Sequence, residues 1–251
     1  MSEYQYYEFL AIDRPLDKEA REDLRNVSSR ARISATQFTN TYEWGDFKGD
    51  PDALMEAYFD LHLYLANWGT RRLMVRVPEG LIDKNLVHTC LRDVEDCRSW
   101  TANGHLILDI NGRDDEADEL DGEGWLSAIA PARADLLAGD HRLLYVVWLM
   151  GIQGEQVDED DPEPLPGIGP ITGALEAVAS FFNIDPDLMD AAAERDAVAP
   201  IDAHAAHQAI ADLSESEKAA ILDAIRRRPV GPRRAPPGRA CASGRGPPIR
   251  A

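Results

Sequence analysis

Cysteine is scarce in this 251-residue chain: Cys90, Cys97 and Cys241 are too few and too scattered for the disulfide framework of a small secreted fold. Long apolar runs are missing as well. The longest, Leu143 to Met150, falls far short of the roughly 20 residues that a membrane-spanning helix needs, and reads as a buried core helix. The opening MSEYQYYEFLAIDRP has neither the basic start nor the cleavage pattern of a signal peptide. A cytoplasmic protein without membrane contact is the expectation. The familiar catalytic signatures are absent too: no GxSxG elbow, P-loop, Rossmann glycine fingerprint, HExxH or kinase set occurs. With 45 acidic residues, no catalytic pair stands out. The residues therefore assign no catalytic role, cofactor, metal or small-molecule ligand.

What the chain has is acid. Its formal net charge is −19, and residues 226–251 hold eight arginines and no acid, so the residues before them carry −27. Such a body repels nucleic acid and anionic membrane over most of its surface. Only four of the 26 basic residues are lysines.

Hydrophobic residues make up 44% of the chain, enough to bury a core without staples. Tyr4–Ile12 reads as a strand stopped at Pro15, followed by a helix capped by Asp17 with Leu16, Ala20, Leu24 and Val27 on one stripe. The stretch around Ile33, Ala35, Gln37 and Thr39 reads as a strand. Asp50-Pro51 should open a long central helix over DALMEAYFDLHLYLAN, with Leu54, Tyr58, Leu61 and Leu65 on one face. RRLMVRV, residues 71–77, reads as a half-exposed strand. LIDKNLVHTCL suggests a short helix, and Asn103-Gly104 a two-residue hairpin turn. From Trp125 to Met150 the pattern is helical, interrupted at Pro131 and Gly139. The expected fold is α+β: a mixed sheet from a β-α-β-α-β unit and a hairpin, packed on helices, then a small helical region. The expected organisation is a core domain over 1–152, an acidic linker over 153–166, a helical region over 167–225 and a disordered Arg/Pro/Gly tail over 226–251. Asp185-Pro186 starts one helix of the helical region, and Ser214 with Glu217 forms a capping box for another. The tail reads either as a basic arm for nucleic acid or an acidic partner, or as the product of a reading-frame change. The abrupt end of the capping-box helix after Ile225 favours the latter.

Three strings tempt a sharper reading. LPGIGPITGAL, residues 165–175, looks like the hairpin of a helix-hairpin-helix DNA-binding module. The acids before it would repel a phosphate, and Gly173 stands where alanine is usual, which weighs against nucleic acid. His88, Cys90, Cys97 and His105 lack the close pairs that set two ligands on one metal, and His204 and His207 with Asp202 make a bare helical pair. The acidic loop 114–123 fails the EF-hand spacing. Two loops are left, YEWGDFKGD (42–50) and NWGTRR (67–72), each mixing tryptophan, glycine and charge as contact loops do. Trp44, Asp46, Lys48, Trp68 and Arg71 are their candidate partner contacts. A helix of 16 residues between them would hold the loops roughly 24 Å apart, so they could meet only if it broke.

The block YYEFLAIDRPL, then WGDFKGDP, then YLANWGTRRLM, resembles the N-terminal signature of a recurrent bacterial protein family without a characterised function. The similarity continues through RADLLAGDHRLLYVVWL and IDPDLM, to about residue 225. The resemblance implies a coherent fold and a chain cut short or shifted in frame at its end, and it brings no activity, substrate or catalytic residue. The functional expectation is a non-catalytic interaction or scaffold protein whose partner is another protein. The alternatives are an enzyme of unfamiliar type, such as a metal-dependent hydrolase, and nucleic-acid association through residues 165–175 or the tail.

Overall fold

The computed structural model of the protein describes residues 3–113, 121–158 and 160–195, together with Lys218. Among the described residues seven strands follow in chain order: β1 (Gln5–Leu10), β2 (Arg32–Ile33), β3 (Gln37–Tyr42), β4 (Leu61–Ala66), β5 (Thr70–Pro78), β6 (Arg98–Ala102) and β7 (His105–Arg113). They form one sheet of order β2-β3-β1-β4-β5-β7-β6. Around it lie α1 (Lys18–Val27), α2 (Pro51–Ala57), α3 (Lys84–Leu91), α4 (Trp125–Leu137), α5 (Arg142–Gln153), α6 (Gly173–Phe181) and α7 (Pro186–Ala193). The fold is α+β. The sheet is not mixed, however: every pairing in it is antiparallel.

The reason lies in residues 58–66. The long central helix does not form; α2 stops at Ala57, and Leu61–Ala66 is strand β4. Leu61, Leu63 and Leu65 also alternate, and alternation wins because both faces of this strand are covered. β4 takes the place beside β1 and antiparallel to it, so β3 and β4, which run the same way and are joined through α2, are kept apart by β1 and never pair. Asp60, fully buried at the start of β4, shows what holds the break. Its carboxylate accepts from the N–H groups of Ile12 and Asp13 at 2.6 and 2.9 Å and from Arg76 Nη2 at 2.7 Å. A helix would have carried that acid into water.

Each face of the sheet has its own apolar layer. Leu61, Leu63, Leu65, Leu73, Val75, Val77, Leu106, Leu108 and Ile110 meet α3 to α7 on one side. The opposite side packs Phe9, Phe38, Met74 and Ile107 against Leu24 of α1 and Met55 of α2. Beyond the acidic stretch 153–166, α6 and α7 close over the first layer through Leu175, Val178, Phe181 and Met189. β5 is therefore central rather than half-exposed. Its Arg72 and Arg76 are sheltered by acids instead of water: Arg72 grips buried Asp109 at 2.7 and 2.8 Å and Asp52 of α2 at 2.6 Å. Asp17 caps α1 by accepting from Ala20 N–H, and α4 runs unbroken through Pro131. The helices α4 and α5 part where Gly139 takes a φ of +87°. Asn103 and Gly104, at φ +52° and +78°, make the hairpin between β6 and β7.

His62 sits inside the second layer, fully buried and stacked on Phe9 with ring centroids 3.9 Å apart. Its Nδ1 donates to the Glu8 carbonyl at 2.9 Å, and its Nε2 meets no hydrogen-bond partner among the described residues. Burial pushes the imidazole pKa down, the Arg72 charge adds to this, and the Glu8 hydrogen bond resists it; the result is about 3.

Candidate functional site

Breaking the central helix brings the two tryptophan loops together. In the sheet register Tyr42 and Ala66 both face Gln5, one from each side of β1. They are thus two strand spacings apart, roughly 10 Å. The loop 43–50 leaves β3 at Tyr42, and the turn Asn67-Trp68-Gly69 leaves β4 at Ala66, so both start from one corner of the sheet. Each is also pinned to one of two adjacent residues of the amino-terminal segment, the first loop to Gln5 and the turn to Tyr4. Gln5 Nε2 donates to the Gly45 carbonyl at 3.1 Å; Tyr4 N–H donates to Asn67 Oδ1 at 3.0 Å, and Asn67 N–H returns a bond to the Tyr4 carbonyl at 3.0 Å.

Local chemistry explains which side chains face out. Phe47 is the anchor of its loop: it packs against Tyr7, Phe9 and Phe38 at centroid distances of 4.8, 6.2 and 6.0 Å. Gly49 lets the backbone pass, since a Cβ there would lie 2.6 Å from the Phe47 ring. With Phe47 inside, Trp44 is left 73% exposed. Across the corner, Gly69 at φ +89° closes the turn through its bond to the Ala66 carbonyl, and Trp68 is 43% exposed. Neither indole seals a helix end. Asp46 and Lys48 are exposed on the first loop. Arg71 does not join them: it is buried on the helical side, where Nη1 donates to the Phe181 carbonyl at 2.8 Å and the guanidinium lies over the Phe181 ring.

Beneath the loops, Tyr7 and Tyr64 both donate to Gln5 Oε1, at 2.9 and 3.3 Å, and Tyr7 packs edge-on to Tyr42. Burial raises the phenol pKa of Tyr7 and of Tyr64, and the nearby Asp46 charge acts in the same direction on both. On the other flank the Tyr4 hydroxyl accepts from Gly122 N–H at 3.4 Å; burial raises its pKa, with Asp121 and Glu123 contributing.

The comparisons name no relative. No family model, no curated protein and no solved structure matches the chain.

Other candidate sites resolve differently. A cleft of about 610 Å³ runs beside β7 where β6 stops short, lined by Thr70, Arg72, Arg98, Asp109 and Asn111 on one wall and by Met150, Gln153 and Phe182 on the other. Three of its charged residues, Arg72, Arg98 and Asp109, are engaged in a closed square with Asp52: Asp109 and Asp52 each bind both Arg72 and Arg98. Burial opposes the charge on Asp52, but the bonds from Arg98 and Arg72 outweigh it and hold the carboxyl below its ordinary range. The square ties α2 to three strands.

The histidine and cysteine cluster is dispersed. His88 is exposed on α3, Cys90 is in the core, Cys97 donates to the Asn111 carbonyl at 3.6 Å, and His105 lines a groove at the opposite end of β7. Among the described residues no group of three or more His, Cys, Asp or Glu side chains is placed to hold a metal ion. Burial raises the Cys90 thiol to about 12 and the Cys97 thiol to about 11, so both stay protonated at neutral pH.

In the 165–175 string, Gly167, Ile168 and Gly169 are buried. The N–H groups of Ile168 and Gly169, which a phosphate would need, donate to the carbonyls of Ala192 and Arg195 at 3.1 and 2.9 Å. No helix among the described residues is long and apolar enough to cross a membrane. His204, His207 and Asp202, the capping box at Ser214 and Glu217, loop residues 114–120 and the tail 226–251 all lie outside the described residues.

Proposed function

We propose that this chain is a non-catalytic protein-interaction module of the cytoplasm, and that its contact surface is the corner bearing Trp44 and Trp68. One observation carries the reading: two exposed indoles sit on separate loops fastened to neighbouring residues of one segment, the Trp44 loop to Gln5 and the Trp68 turn to Tyr4. Single exposed apolar residues are ordinary on protein surfaces. Two tryptophans held on anchored loops are preorganised, so a partner that buries them orders little new structure. A tryptophan buries about 150–250 Å² when covered, and this residue type is enriched among the few that dominate interfaces. The free, protonated thiols of Cys90 and Cys97 suit a reducing compartment.

The test is affinity capture from the native host with a carboxyl-terminally tagged chain, beside its Trp44→Ala/Trp68→Ala variant. The wild-type chain should retain a defined protein, and the variant should retain less than a tenth of it. Both chains should melt at the same temperature, since neither indole is part of the core. Equal capture by the two chains would refute the assignment of the surface.

A further inference from the structure

We infer that the Trp44–Trp68 corner is built for a basic partner, an extended peptide segment whose arginine or lysine side chains lie over the two indoles. The inference rests on the interaction reading above and adds the chemistry of what binds. It follows from the charge around the aromatic groups. Glu3, Glu43, Asp46, Asp50, Asp121 and Glu123 are all exposed on the segments that form the corner. Of the cations there, Arg32 is already paired with Glu123 at 2.7 Å, and Arg72 is closed into its square with Asp109 and Asp52. Arg71 is turned inward to Phe181. Lys48 and Arg113 leave the corner with a clear excess of negative charge.

Aromatic faces ringed by carboxylates favour cations twice. The ring quadrupole attracts a guanidinium or ammonium placed over it, tryptophan most strongly, and the carboxylates add long-range attraction that speeds encounter. An acidic or uncharged apolar segment would gain only the area of the indoles. The chain already uses this contact internally, with the Arg98 guanidinium over the Trp100 ring at 4.8 Å. Asp46 lies within hydrogen-bonding reach of Gln5, beside the anchor of the Trp44 loop, so charge and indole are held on one rigid element.

The experiment measures binding of a nine-residue fluorescein-labelled peptide of repeating Arg-Gly-Ser by anisotropy. Repeating Gln-Gly-Ser and Glu-Gly-Ser peptides serve as uncharged and acidic counterparts. The arginine peptide should bind, and the other two should bind at least tenfold more weakly. Trp44→Ala/Trp68→Ala should weaken the arginine peptide at least tenfold, while Trp44→Phe/Trp68→Phe keeps most of the affinity. Glu43→Gln/Asp46→Asn should weaken it severalfold. Asp17→Asn/Glu19→Gln, in the acidic groove at the far end of the sheet, should change it less than twofold. Equal losses from the two acidic pairs would mean diffuse attraction to an acidic body and overturn the inference. Failure of the arginine peptide, combined with tryptophan-dependent capture that persists in 0.5 M NaCl, would also overturn it while leaving the interaction surface standing. If capture itself ignored the tryptophans, the underlying reading would be the one to fall.

Discussion

His62 makes the stability of this protein depend on pH in a way that can be isolated. Its imidazole has a pKa of about 3 in the folded chain, against 6.5 when exposed. Above pH 6.5 it is neutral in both states, and its contribution to stability is fully present. As the pH falls through 6.5, the unfolded chain takes up a proton that the folded chain refuses. Stability is then lost at about 1.4 kcal/mol per pH unit, amounting to roughly 2 kcal/mol between pH 7.5 and pH 5. Other groups titrate in that range, and relief of repulsion among the excess carboxylates works in the opposite direction. The comparison with His62→Phe removes them. Phenylalanine keeps a ring against Phe9, and any packing strain or loss of the Glu8 bond is the same at every pH. Urea unfolding at pH 7.5, 6.5, 5.8 and 5.0 should show the wild type losing about 2 kcal/mol more than the variant across the series. Parallel stability curves, or an NMR titration of folded His62 with a midpoint near 6.5, would show the reasoning to be wrong.

Two further substitutions probe the frame. Asp60→Asn leaves Arg76 and Arg133 short of a carboxylate and turns an amide NH₂ towards donors, which should cost about 3–5 kcal/mol in urea unfolding. Adding Arg76→Met should recover much of that loss, and no recovery would mean that the damage lies in the N–H bonds of Ile12 and Asp13 rather than in the ion pair. Gly122→Ala would place a Cβ 2.1 Å from the Tyr6 ring; about 1–3 kcal/mol of destabilisation is expected, read as a lower melting temperature.

Much of the element list could be read in advance because its signals are local. Asp17 before α1, Asp50-Pro51 before α2, Asp185-Pro186 before α7 and the Asn103-Gly104 turn each act through their own backbone. The stretch from Tyr58 to Ala66 was not legible by its helical spacing. Leu61 and Leu65 fit both periods, and only a sheet covered on both sides decides between them. The signal available was Leu-x-Leu-x-Leu following an aspartate. Arg72 and Arg76 misled in the same way, because their burial depends on Asp109, Asp52 and Asp60, which nothing in the sequence separates from the other acids. The corner inherited the error. Trp44 and Trp68 stand out in the sequence as candidates, but their proximity depends on β4 lying beside β1. Arg71 was misplaced because alternation along β5 sends it to the opposite face from Arg72.

The anchoring of both loops on Tyr4 and Gln5 also governs how the protein can be handled. A sequence fused ahead of the amino terminus joins the chain within a few residues of Tyr4, whose N–H and carbonyl both bond to Asn67 beside Trp68. An affinity handle fused there would sit on the surface that a pull-down is meant to expose, and a bulky one would act as a competing occupant.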